Sequence, residues 1–454
     1  MAQIVIIGAG LTGLSTAYHL EQQGFTDYKL FEKEATIGGL CRSVTQDGFT
    51  FDFTGHLLHT SDPYFRHLIE TLVGLDNLNA ITRQSFIYSH DVYTRFPFQV
   101  NLFGLPHEVI TECIEGYINR SKKRTPLKNY HEFVLRNFGA GFGKQFFFPY
   151  QQKIFAYDTR KLTAEWTGRF VPPTSLPQII KGALCDNNDP NIGYNSQFLY
   201  PKHGGIISWV QKFADQIQQP IYTNHTVSNI NSMTKTITFS NGHSEHYEQL
   251  ITTIPLDRLV NTITEKSSLS LKKSLKDLRC NSVVNFNLGV NRPDLSEKHW
   301  IYFPEQKYPF YRIGFPHNFA KSMAPDGCSS LYGEFSYTNK SRSHVAQLLE
   351  QSLASVKKIL SLEAHEIMTE KIIFIPHAYV IYNQAREIMV PRLLQTLAQE
   401  SIYSVGRYGE WKYASMQEAV LDGQKIAQKV TSLDSYNSSA YIQKRSCFIK
   451  NSMH

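Results

Sequence analysis

The sequence is short of cysteine and has no long apolar run. Its six cysteines (Cys41, Cys113, Cys185, Cys280, Cys328 and Cys447) are scattered over 454 residues, with no Cys-x-x-Cys pair and no Cys/His spacing. A disulfide framework and a zinc site are both disfavoured, and a reducing cytosol fits. No apolar stretch nears the roughly 20 residues of a membrane span. The N-terminus enters a strand-like run without the charged segment and cleavage site of a signal peptide, so a cytoplasmic location is expected. Basic runs are scarce as well. Ser121-Lys122-Lys123-Arg124 is the longest, and a formal charge of +7 promises weak attraction to small anions, not a nucleic-acid surface. No Ser/His/Asp constellation, metal-ligand cluster or obvious carboxylate pair stands out, so no metal is expected.

What is present describes a globular protein of two or three domains, because the chain is too long for one core. A hydrophobic content of 42% against 19% charged residues excludes a disordered or membrane class. Many of the aromatic residues sit beside Gly, Pro and Arg, which fits either an aromatic-lined pocket or simply a large core. Gln3–Ile7 is a short β-branched run that stops at Gly8, as a buried parallel strand does. A helical pattern follows over 11–23, then a second strand over Tyr28–Glu32.

Between the first strand and the helix lies Gly8-Ala9-Gly10-Leu11-Thr12-Gly13, a GxGxxG turn in the context that gives it meaning. Gly8 permits the turn, Gly10 lets a pyrophosphate approach the backbone, and Gly13 allows close helix–strand packing. The helix N-terminus offers unpaired N–H groups to phosphates. Glu32 ends the second strand about 20 residues on, where an acid accepts from ribose hydroxyls. A second glycine pair follows in Ile37-Gly38-Gly39-Leu40-Cys41-Arg42.

This arrangement resembles the N-terminal unit of the amine-oxidase-like flavoproteins, which implies FAD. Thr253-Ile254-Pro255 and Gly406-Arg407 look like that family's other flavin contacts, although Arg407 replaces the usual acid after the glycine. The resemblance implies FAD contacts at Gly8, Gly10, Leu11, Thr12, Gly13, Glu32 and Lys33, then at Gly39, Leu40 and Arg42. It further implies Gly55, His56, Val227, Gly406, Arg407 and Met416.

The remaining motifs resemble the UDP-galactopyranose mutases, particularly the larger eukaryotic type, over most of the chain. Thr54-Gly55-His56-Leu57, Phe96-Pro97-Phe98-Gln99 and Phe146-Phe147-Phe148-Pro149-Tyr150 carry part of the likeness. Trp300–Pro304 with Pro309-Phe310-Tyr311-Arg312, and the run 406–413, carry the rest. The chemistry makes sense on its own: a base needs π-faces and an amide, and a pyrophosphate needs guanidinium forks. Substrate contacts are expected at Phe98, Gln99, Phe146, Tyr150, Gln151, Arg169, Asn195, Tyr302, Arg312, Tyr379 and Tyr413, with His56, Arg312 and Tyr413 nearest the chemistry. The family pairs two arginines on the pyrophosphate. Arg312 matches one, while Phe170 stands at the other and Arg169 lies one residue earlier.

The resemblance implies a flavin-dependent isomerase in which N5 of reduced FAD attacks the anomeric carbon of a nucleotide sugar. Pyranose and furanose forms interconvert without net redox, and the enzyme would serve cell-surface polysaccharide synthesis. Its expected partners are the nucleotide sugar and a flavin reductant (NAD(P)H or a reductase), with homo-oligomerisation left open. Two alternatives remain: an amine- or porphyrinogen-type oxidase, and a non-catalytic FAD-binding scaffold. The expected fold is α/β. A Rossmann-type FAD-binding domain (1–62, 185–280 and 400–433) is joined by a mainly helical insertion over 63–184 on the nucleotide side. An antiparallel-sheet substrate domain spans 281–399, and a loose tail covers 434–454.

Overall fold

The computed structural model describes residues 2–123, 125–167, 171–186, 196–264, 272 and 275–432. Arg169, Phe170, Asn195 and the 434–454 tail lie outside these residues. The apolar run of the N-terminal strand makes it the centre of the first sheet. Ala2–Ile7 pairs in parallel with Tyr28–Phe31 on one side and Ser244–Thr252 on the other. Ile221–Tyr222 extends the sheet beyond Tyr28–Phe31, and Ile402–Ser404 runs parallel to the end of Ser244–Thr252. Helix Leu11–Gln22 lays Leu14, Ala17 and Leu20 on this sheet. The turn closes tightly: a Cβ on Gly13 would stand 1.8 Å from the Gly8 carbonyl oxygen. Only glycine fits there.

A second sheet stands against the first. Its order is Ile367–Ile375, Ser282–Val290, Ser329–Tyr337, Arg312–Gly314, Trp300–Tyr302, Ser85–Ser89 and Val92–Arg95. It is antiparallel except where Trp300–Tyr302 runs parallel to Ser85–Ser89. Ser282–Val290 is buried on both faces, with helix Arg342–Ile359 packing Val345 and Val356 over one of them. Residues 63–184 carry helices Pro63–Val73, His107–Ile118, Tyr130–Asn137, Phe148–Phe155 and Leu176–Leu184. They also contribute the hairpin Ser85–Ser89/Val92–Arg95 to the second sheet. Its short strands show little of the alternation that marks a strand in sequence. No helix among the described residues is long and apolar enough to cross a membrane.

Candidate functional site

One cavity of about 960 Å³ runs from the glycine turn of the first sheet, between the two sheets, to helix Phe148–Phe155. At its first end the two glycine turns face each other. Gly10 and Gly38 form an isolated bridge, and a Cβ on Gly39 would stand 3.2 Å from the Gly10 Cα. Bare backbone therefore borders the cavity where a pyrophosphate must approach closely. Glu32 is buried and lines the cavity, with its two carboxylate oxygens accepting from the backbone N–H groups of Ala9 at 2.8 Å and Glu34 at 2.9 Å. Leu11, Thr12, Lys33, Leu40, Val227 and Met416 also border the cavity. Arg42 donates to the Gly39 carbonyl and lies 4.4 Å over the Phe53 ring. Gly13 and Gly406 stand behind the wall, Gly13 closing the turn and Gly406 packing on Thr12.

At the other end, strand pairing sets Arg312 opposite both Tyr302 and Glu334. Glu334 is completely buried and grips the guanidinium at 2.9 Å (Nε) and 2.7–3.0 Å (Nη2). Burial alone would push Arg312 toward neutrality, but Glu334 and neighbouring tyrosines hold it charged. Among the described residues Nη1 has no hydrogen-bond partner. His56 follows Gly55 into the same cavity, and burial, with Arg407 and Arg312 nearby, lowers its pKa to about 4. It is a neutral imidazole at physiological pH.

Arg407 donates to the carbonyls of Ala414 and Ala378 and lies 4.6 Å over Tyr413 and 5.6 Å over Tyr379. Among the described residues no carboxylate lies within ion-pair distance of it. The Tyr379 and Tyr413 rings are parallel, 6.4 Å apart. Opposite them, Phe98, Phe146 and Tyr150 form a continuous stack with centroid spacings of 5.2 and 5.0 Å. Phe146 and Tyr150 border the cavity; Phe98 is one ring behind and backs Phe146. Gln99 and Gln151 reach the wall, with the Gln99 amide donating to the Pro172 carbonyl at 3.1 Å. A π-helical turn over Gly143–Phe147 aims both Phe146 and Phe147 inward, while Phe148 stacks on His131.

Among the cavity residues that escape detection from sequence are Arg83, His59 and Arg258. Arg83 sits on the turn before Ser85–Ser89, its guanidinium 5.1 Å over the Phe96 ring. Its only local signal is an arginine between two strands, which any surface turn shows.

Residues 11–431 match the model of the flavin containing amine oxidoreductases. The chain belongs to that family. Membership implies FAD, and the glycine cradle and buried Glu32 fit its dinucleotide. Among solved structures, reduced UDP-galactopyranose mutase is similar over 95% of this chain and 94% of its own, at 28% identity and a TM-score of 0.89. A putative protoporphyrinogen oxidase from Exiguobacterium sp. 255-15 shares the fold at a TM-score of 0.71 and 17% identity, over 94% of this chain and 98% of its own. The 4,4'-diapophytoene desaturase of Staphylococcus aureus strain RF122 / ET3-1 is 34% identical over 91 residues, 20% of this chain and 18% of that enzyme. The chain thus matches less than a fifth of these curated relatives' length. This family member has the α/β architecture of the mutase.

Proposed function

We propose that the chain interconverts the pyranose and furanose forms of a nucleotide sugar of the UDP-galactose kind, using reduced FAD without net redox. One observation carries this reading. The flavin cavity continues into an aromatic chamber lined by the guanidinium groups of Arg83, Arg312 and Arg407. Glu334 neutralises Arg312, while among the described residues no carboxylate lies within ion-pair distance of Arg407, so the chamber presents charged guanidinium donors suited to an anionic pyrophosphate. A cationic amine has no comparable use for them. The likeness to the reduced mutase over nearly the whole chain supports the same assignment.

When bound, reduced flavin would supply a nucleophilic N5 for an anomeric carbon. The chain's own groups bind and orient. Phe146 and Tyr150 offer π-faces to the base, and Gln99 and Gln151 offer amides to its edge. Arg312 would donate Nη1 to a phosphate oxygen, with Tyr302, Tyr379 and Tyr413 hydroxyls close by. His56, uncharged, is suited to accept or donate one hydrogen bond at the flavin without adding charge. Arg169 and Asn195 are proposed as further substrate contacts on the resemblance alone.

Dithionite-reduced protein incubated with UDP-galactofuranose or UDP-galactopyranose should yield the other ring form, followed by anion-exchange chromatography. UDP-N-acetyl sugars and other nucleotide sugars define the range. Failure of every nucleotide sugar to turn over or perturb the flavin spectrum would sink the isomerase reading. The second reading, an FAD-dependent amine- or porphyrinogen-type oxidoreductase, draws on the family model and would show as substrate-dependent oxygen uptake.

A further inference from the structure

Asn281 is completely buried, and each of its hydrogen-bonding groups is engaged. Its backbone accepts from Ala378 N–H and donates to the Tyr379 carbonyl, each at 3.0 Å. Its side-chain oxygen accepts from Tyr379 N–H at 2.8 Å, and its amide donates to the Ile154 carbonyl at 2.6 Å. Ser336 Oγ, opposite Val283 on the neighbouring strand, donates to that same carbonyl at 2.6 Å. Ile154 lies in the last turn of helix Phe148–Phe155, which Ala156 ends with a φ of 47°. Its carbonyl is one of those a helix cannot satisfy internally. Two side chains, one just before strand Ser282–Val290 and one on its neighbour Ser329–Tyr337, therefore converge on a single helix-end oxygen.

The two objects so joined are the opposite walls of the ligand chamber. The helix carries Tyr150, Gln151 and Phe155. The segment 378–379 carries Tyr379 and, through the Ala378 carbonyl, holds Arg407 at 3.0 Å and the Tyr408 hydroxyl at 3.2 Å. Phe155 meets Tyr379 edge to face at 6.1 Å across the gap. We infer that Asn281 and Ser336 are positioning residues that set the separation of the chamber's two aromatic walls. Neither is among the residues bordering the cavity. The consequence for nucleotide affinity rests on the proposed function; the clamp itself does not.

Asn281→Asp keeps the acceptor for Tyr379 N–H but sets a carboxylate oxygen against the Ile154 carbonyl. Ser336→Ala removes the second donor with little change in volume and serves as the milder variant. In FAD-loaded protein, hydrogen exchange in peptides covering 148–155 and 376–382 should quicken about tenfold in each variant, the worth of one net hydrogen bond. The peptide covering 2–22 and the flavin absorbance should not change. UDP affinity should fall about tenfold, and further in the double variant. Unaltered exchange over 148–155 in both variants overturns the inference, as does equal loss of FAD and UDP binding. A wild-type protein indifferent to UDP, whose variants still show the exchange pattern, would count against the nucleotide-sugar reading and for the clamp.

Discussion

Arg312 is a partly buried cation, its side chain 19% exposed, whose completely buried partner was invisible in sequence. Glu334 lies 22 positions away, and only the register of two antiparallel strands sets them side by side. Losing one member of a buried pair strands the other charge, typically at a cost of about 3–5 kcal/mol. Glu334→Gln should therefore lower the melting temperature, and UDP, bringing its own negative charge, should restore more of it than in the wild type. Paired thermal melts with and without UDP check this. Arg312→Lys keeps the charge but loses the planar fork. It should weaken UDP binding about 10- to 100-fold by calorimetry while the ratio of flavin to protein absorbance stays constant. Equal loss of flavin would mark Arg312 as structural. Asp52 offers a pH test. Burial raises its pKa to about 6, although Ser43, Tyr200 and the Ile206 N–H all donate to it. A carboxyl group whose folded pKa is raised contributes stability at low pH that is lost as pH climbs from the unfolded value toward about 6. Asp52→Asn should flatten that part of the melting-temperature curve between pH 4 and 6 and run parallel to wild type above it.

The strand–turn–helix at the N-terminus was legible because its signals are local. A β-branched run, a glycine turn and an apolar helical face lie within 25 consecutive residues, and the Gly13–Gly8 contact is part of the turn itself. Gly13→Ala should push helix Leu11–Gln22 off the first strand. The purified variant is expected to carry little flavin, read as absorbance near 450 nm per protein, or to be insoluble. The hairpin over 85–95 was less legible. Its strands are short, and their burial is supplied by Trp300–Tyr302 from more than 200 residues away. The aromatic run over 146–148 stated its composition but not its aim. The π-helical turn decides that two rings enter the cavity and the third turns to His131.

Across the whole molecule, both sheets and the helical segment share one cavity, so a ligand held there stabilises all three at once. Stripping FAD should lower the melting temperature, and readdition at about 100 times its dissociation constant should restore roughly 2.7 kcal/mol. Scanning fluorimetry across a flavin titration measures it, and a flat response would show that FAD does not bind the folded chain in preference to the unfolded one.

By itself the sequence determined that a dinucleotide turn opens the chain and that aromatic and arginine segments recur later. These are properties of neighbours along the chain, where spacing equals geometry. Only the tertiary structure decided that Glu334 neutralises Arg312, that Phe98 stands one ring behind the cavity, and that Arg83 joins its wall. It also set Asn281 and Ser336 on one helix-end carbonyl. Each of those depends on strand register or on the meeting of distant elements, and a single residue's shift in register would undo it.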